Sequence, residues 1–493
     1  MLTGLGKAVR HFFPDLNRWM GSLLDTRRQE LCVYDRRFLT WMGILVFLLK
    51  LGSKRSIRFE LSTAEALRNL NHLAGTTQQT IAHQDTLEHF LGHVSPRELD
   101  TKLRRNMIRR LVRMKALDHG RLLGHFVIVF DGTGMLVFPE RHCAHCLKKT
   151  VQGKTIYYHH VLEAKVVTPG GLALSVGSEF IENSDPHATK QDCELKAFAR
   201  LAHRLNKDFP QLLICLGLDA IYANGAVLDL CRRYRWKYFI TFKKGSMPAV
   251  WREYQTLLDL CPENRKSVEL RDGRRQEYAW VHDLSYEDDQ GRQQTFHAFQ
   301  CQEQQDGQRQ FFAWITNFTV CAENVAALGN RGGRLRWNIE NQGFNMQKNG
   351  GFALEHAYSL GTQQIKGFYI LMQVAHLLLQ LLEHGDLLGA DCRQLYGSLK
   401  ALAKRLSEAL RNYLFPPDAL DPAVRIRVRL DSSKAFCCRP ALTRTRPFPR
   451  RCLRAAPRPM PLVRLAGALR RPLPRPGPRR PSCSSRLKSR VSG

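Results

Sequence analysis

From Ser432 to its last residue the chain contains no aspartate or glutamate, against fifteen arginines and two lysines. A stretch without acids cannot form the mixed charged surface of a folded domain, and Pro472-Leu-Pro-Arg-Pro-Gly-Pro478 at its centre has neither helix nor strand period. Residues 432–493 are therefore expected to be a disordered Arg/Pro-rich tail. Long apolar runs are missing too. Trp41–Leu49 is far shorter than a bilayer, and Ile365–Leu382 is interrupted by Gln373, His376 and Gln380, as a core helix would be. The N-terminus lacks the basic, apolar and small-residue succession of a signal peptide. The 14 cysteines have no regular spacing, which excludes a disulfide scaffold and favours a reducing compartment. No glycine-rich loop ending in Lys-Ser or Lys-Thr is present, which argues against an NTP-driven machine. The expectation is a soluble, cytoplasmic protein without membrane contact.

Positive charge, by contrast, is abundant. The formal net charge is +31 with a pI near 10.0, and removing the 17 charges of the tail leaves 31 − 17 = 14 on the rest. A basic body gains free energy by releasing counterions from a polyanion, so nucleic acid is the favoured partner. A chain of 493 residues with 44% hydrophobic content has room for one large core and smaller modules. Residues 1–120 carry helical periodicity with basic faces. The stretch Asp100–Lys115 repeats apolar residues at intervals of three and four, which suits either a DNA-gripping region or a helical cap with solvated basic faces.

After residue 120 the period changes to that of strands. His125-Phe-Val-Ile-Val-Phe130 is a buried-strand pattern ending at Asp131-Gly-Thr-Gly134, and Tyr157–Val167 and Leu172–Phe180 form two further strands around the turn Thr168-Pro-Gly-Gly171. A helix from Lys190 to Asn206 precedes Leu212–Leu218, a second apolar strand ending at an acid, Asp219. A helix Asn224–Tyr234, a strand Trp236–Phe242 and a helix Pro248–Leu260 continue the alternation. Residues 261–320 turn polar and strand-like, a β-rich insertion, and helical character returns near Arg334 and carries Glu340. The fold expected is α/β, a mixed sheet flanked by helices, with a helical N-terminal region (1–120). The core domain is expected to be split into 121–260 and 321–415 around the insertion.

Two acids at strand ends and a third on a helix are rigidly mounted oxygen ligands, the type hard divalent cations require. Two Mg²⁺ or Mn²⁺ ions held by Asp131, Asp219 and Glu340 would suit phosphodiester chemistry. Singly, each Asp could be no more than a turn former. The segments Phe130–Gly134, Lys190-Gln-Asp-Cys-Glu194, Leu218-Asp-Ala-Ile-Tyr-Ala-Asn224, Arg336-Trp-Asn-Ile-Glu-Asn-Gln-Gly-Phe-Asn345, Lys348-Asn-Gly-Gly351 and Leu354-Glu-His356 together resemble the DDE insertion-sequence transposases. That resemblance implies a ribonuclease-H-like catalytic domain with Asp131, Asp219 and Glu340 as catalytic metal ligands. It also implies bacterial, nucleoid-associated DNA transposition: a dimer on double-stranded DNA cleaves transposon inverted repeats and joins the freed 3′ ends to target DNA.

In many relatives the Glu lies in a Tyr, Arg, Glu, Lys signature. Arg336 and Glu340 keep its central spacing, whereas Gly333 stands at the Tyr position and Gln347 at the Lys position, with Lys348 one step later. The resemblance implies DNA contacts by Arg336, Trp337 and Lys348. A β-rich insertion before Glu340 resembles the cut-and-paste enzymes that pass through a hairpin, where Trp337 could stack on a flipped base or simply be a core residue. His142-Cys-Ala-His-Cys146 reads either as a turn between strands or as half of a zinc knuckle whose partner pair is missing. His160 lies on the strand that faces the acids or packs in the core. The rival readings are a stand-alone nuclease and an inactive DNA-binding remnant.

Overall fold

The computed structural model describes residues 1–183, 191–288, 290–386, 395–416, 419–421, 428 and 430. Met1–Cys438 forms one compact unit; no residue of the second, Arg439–Gly493, is among those described, so the expected tail lies outside them. The first unit is mixed α/β around a ten-stranded sheet.

Its strands are β1 (Phe126–Phe138), β2 (Leu147–Val151), β3 (Lys154–Val167), β4 (Ala173–Ile181), β5 (Ile214–Leu218), β6 (Lys237–Thr241), β7 (Arg265–Glu269), β8 (Arg275–Glu287), β9 (Gln293–Gln305) and β10 (Gln308–Thr316). The spatial order is β2-β3-β1-β5-β6-β10-β9-β8-β7, with β4 also on β3. β3 runs antiparallel to β1 and β4, while β1, β5 and β6 are mutually parallel. The polar stretch after residue 260 forms β7–β10, antiparallel strands that prolong the same sheet from β6.

Parallel strands in the middle of a sheet are covered on both faces, so their sequences read as unbroken apolar runs. In β1, Phe126 to Phe130 are all buried. Ile128 and Phe130 join the large core with Phe198 and Leu201 of the helix Glu194–Asp208, while Val127 and Val129 turn the other way toward Phe239, Leu335, Ile339 and Phe344. β1 does not stop at Asp131 as its apolar run predicts. Asp131-Gly-Thr-Gly134 is strand, paired with Glu163 to His160, because antiparallel partners in β3 continue the ladder past the end of the parallel pairing.

The helix Thr362–His384 is long and apolar enough to cross a membrane, but 94% of its apolar window is buried inside the fold. It packs on the helix Arg36–Leu48 and on β4, so the N-terminal helices and the sheet share one core. In the basic stretch after Asp100 the arginines are largely spent internally. Arg104 is wholly buried, and Arg105 and Arg109 bind Asp208 and its carbonyl. Arg113 and Lys115 at the end of the stretch stay exposed, so part of the basic face remains open to solvent.

Candidate active site

Asp131 and Asp219 stand on neighbouring parallel strands. The pairing Val129↔Gly217 is the last of the β1–β5 ladder, and each acid lies two residues further on, at the same level and on the same side of the sheet. Side chains on this face of β1 look toward the segment that carries Glu340. That segment is not the regular helix its sequence suggests. Gly333–Arg336 is a 3-10 turn, Ile339–Phe344 is a π-helical turn, and Asn345–Asn349 resumes as α-helix. Ile339 and Phe344 are buried beneath it, which leaves Glu340 on the open side. π-turns inside helices recur at functional sites because they re-aim one side chain at the expense of regular hydrogen bonding.

Electrostatics join these groups. The Asp131 carboxyl is pushed up to about 7, first by burial and then by the neighbouring carboxylates Glu194 and Glu340; Arg336 and the Gly132 amide, 3.0 Å from Oδ1, oppose the shift. Arg336 and Glu340 are thus near enough to act on the charge of Asp131. Asp219 is linked through Glu194, whose own pKa is raised by burial and by Asp219 while the Tyr222 hydroxyl, donating to Oε1 at 2.6 Å, lowers it. Lys243 Nζ lies 3.9 Å from Asp219 Oδ1.

Glu194 is the residue whose role sequence reasoning missed, although it ends one of the family-like segments. An acid in the first turn of a helix is ordinarily explained by the helix dipole, so nothing in the local pattern sets it apart. Its place is made by Gly132. A β-carbon there would sit 2.7 Å from Glu194 Oε2 and 2.9 Å from His160 Nε2, so the missing side chain is what lets both reach the strand beside Asp131. His160 Nε2 is buried without a well-formed hydrogen bond, and burial pushes the ring's pKa down to about 4, so it is neutral near pH 7.

The expected DNA-contacting residues separate. Trp337 is 48% exposed with the Arg336 guanidinium 4.6 Å above its ring, so it is not a core residue. Lys348 pairs with Glu355 at 2.9 Å and also faces His160. Gln347, at the signature's Lys position, is fully buried and donates to Gln373 at 2.8 Å, so no phosphate contact is available to it.

Whether these acids suit divalent cations turns on their donor chemistry. They are all oxygen ligands, and the Asp131 carboxyl is raised first by burial and then by the carboxylates Glu194 and Glu340, a like-charge component that a cation would relieve. Among the described residues only Cys143, Cys146 and His159 bring three ligand atoms within 4.8 Å of one another; Asp131, Asp219 and Glu340 do not form so tight a group. No protein-family model and no curated protein matches the chain.

Proposed function

We propose that the protein is a DNA transposase of the DDE class, cleaving transposon ends and joining them to target DNA. What supports this reading is that Asp131 and Asp219 stand at matching levels of adjacent parallel strands, with Arg336 and Glu340 near enough to influence the charge of Asp131. The strand order β4-β3-β1-β5-β6, three antiparallel strands followed by two parallel ones, supports the ribonuclease-H-like assignment, with β7–β10 as the insertion.

Asp131, Asp219 and Glu340 would hold two Mg²⁺ or Mn²⁺ ions, with Glu194 beside them. Bound there, the ions supply charge stabilisation for the attacking and leaving oxygens of a phosphodiester. Arg336 supplies a fixed positive charge at the same face, suited to a phosphate oxygen. Trp337 offers an exposed ring on which an unpaired base can stack. His160, neutral and buried beside Gly132 and Glu194, supports the strand that carries Asp131.

The test uses labelled transposon-end duplexes with Mg²⁺. Asp131→Ala, Asp219→Ala and Glu340→Ala are each expected to abolish cleavage while leaving DNA binding within about twofold. Full cleavage by any of them removes that residue from the site. Cleavage by the parent without joining to target DNA would make it a nuclease instead.

A further inference from the structure

The sequence pair Cys143-Ala-His-Cys146 has no second pair at zinc-finger spacing, yet the fold supplies a third ligand from a different element. In β3, His159 alternates with His160 and therefore points to the opposite face of the strand, away from Glu194. There Cys143 Sγ lies 3.3 Å from Cys146 Sγ, and His159 Nε2 lies 3.6 Å and 3.5 Å from the two sulfurs. Tetrahedral zinc with Zn–S of ~2.3 Å and Zn–N of ~2.0 Å places sulfur about 3.5 Å from nitrogen and about 3.8 Å from sulfur. Both S···N edges match, and the S···S edge is short by about half an ångström. The two sulfurs are far beyond the ~2.05 Å of a disulfide, and both cysteines are free.

We propose that Cys143, Cys146 and His159 bind one structural Zn²⁺ ion, separate from the acidic site. Cys146 and His159 are buried, so these ligands are preorganised in a dry environment, while Cys143 lies at the half-buried rim, the side from which a fourth ligand could reach the ion. The surrounding contacts fix the loop. Asn183 donates its side-chain amide to the Cys146 carbonyl at 3.0 Å and its backbone N–H to the His145 carbonyl at 3.2 Å, and its Oδ1 accepts from Asp192 N–H. The ion would thus fasten the loop between β1 and β2 to β3, and through Asn183 to the segment that leads into Glu194. Two adjacent thiols and a neutral imidazole are a soft donor set that selects zinc over the hard cations of the carboxylates. Binding converts the thiols to thiolates and releases their protons to solvent.

The experiment measures metal in the full chain purified from zinc-supplemented medium without chelator. One equivalent of zinc is expected, displaced by a mercurial reagent that titrates thiolates. It should be retained in Asp131→Asn and lost in the Cys143→Ser/Cys146→Ser double variant and in His159→Ala. Because those variants can fail to fold, the parent is also reconstituted with Co²⁺, where a thiolate-to-metal charge-transfer band and intense tetrahedral visible bands are expected. Metal-free parent protein, a cobalt spectrum without the thiolate band, or zinc retained in the double cysteine variant would overturn the proposal.

Discussion

Asp131 retains its proton to about pH 7 because its ionised form is desolvated and faces Glu194 and Glu340. The consequence for stability follows from the direction of that shift. A carboxyl whose folded pKa is raised above the ordinary 3.8 costs nothing below that pH; the penalty grows through the window up to about 7 and is complete above it. Replacing it with the neutral isostere, Asp131→Asn, is expected to raise the melting temperature at pH 8 and to leave it unchanged near pH 4. The gain is bounded by about 4 kcal/mol and falls below that because the carboxylate is partly solvated. Thermal melts across this range check it; a gain independent of pH would mean that the charge is not the cause. Gly132 permits a second test at the same scale. In Gly132→Ala the new β-carbon must displace Glu194 Oε2 and His160 Nε2, both ends of movable side chains. The stability cost is therefore expected to be about 1 kcal/mol, whereas Mg²⁺-dependent cleavage falls tenfold or more. Undiminished cleavage would show that Glu194 and His160 take no part.

At the scale of elements, a buried charge network ties together three parts of the chain. Glu163 of β3 accepts hydrogen bonds from Ser175 and Ser178 of β4 and from the Tyr369 hydroxyl of the Thr362–His384 helix. Arg104 lies 3.6 Å from it and Lys165 3.9 Å, all three side chains fully buried. Removing Glu163 would leave Lys165 buried with only the neutral Gln373 amide and Arg104 with Asp100 as its one anion, so Glu163→Gln is expected to destabilise the protein by about 3 kcal/mol in denaturant unfolding; a loss under about 1 kcal/mol would mean that water reaches the network. Such a network is invisible in sequence, where Glu163 and Lys165 are only polar residues in a strand. The strands themselves were legible, because β5, β6 and the start of β1 are covered on both faces and must be apolar throughout. Asp219 was legible for the same reason, since an acid directly after such a run has few places to go. The path of β1 beyond Asp131 was not, because it depends on pairing with β3 rather than on its own residues. Nor was the π-turn at Glu340, whose local pattern is that of an ordinary helix. Glu194 escaped because its approach depends on a missing side chain at Gly132, sixty-two residues earlier in the chain.

Over the whole molecule the question is where the positive charge does its work. The N-terminal helices, basic in sequence, spend Arg104, Arg105 and Arg109 on Glu163, Asp100 and Asp208 inside the fold. Arg336 and Lys243 instead stand near Asp131 and Asp219, and Lys348 pairs with Glu355. Residues 432–493 hold 17 of the net 31 positive charges, so on the proposed function much of the attraction to DNA could come from them. Ending the chain at Leu430 separates the two contributions, because each phosphate neutralised adds about 0.9 to the slope of log affinity against log salt. The shortened chain is expected to melt cooperatively, to cleave transposon ends in Mg²⁺, and to bind duplex DNA with a shallower but still negative slope. Binding lost entirely at every salt concentration would assign all phosphate contacts to the removed segment. The proposed site around Asp131, Asp219 and Glu340 could then not be the place where DNA is held.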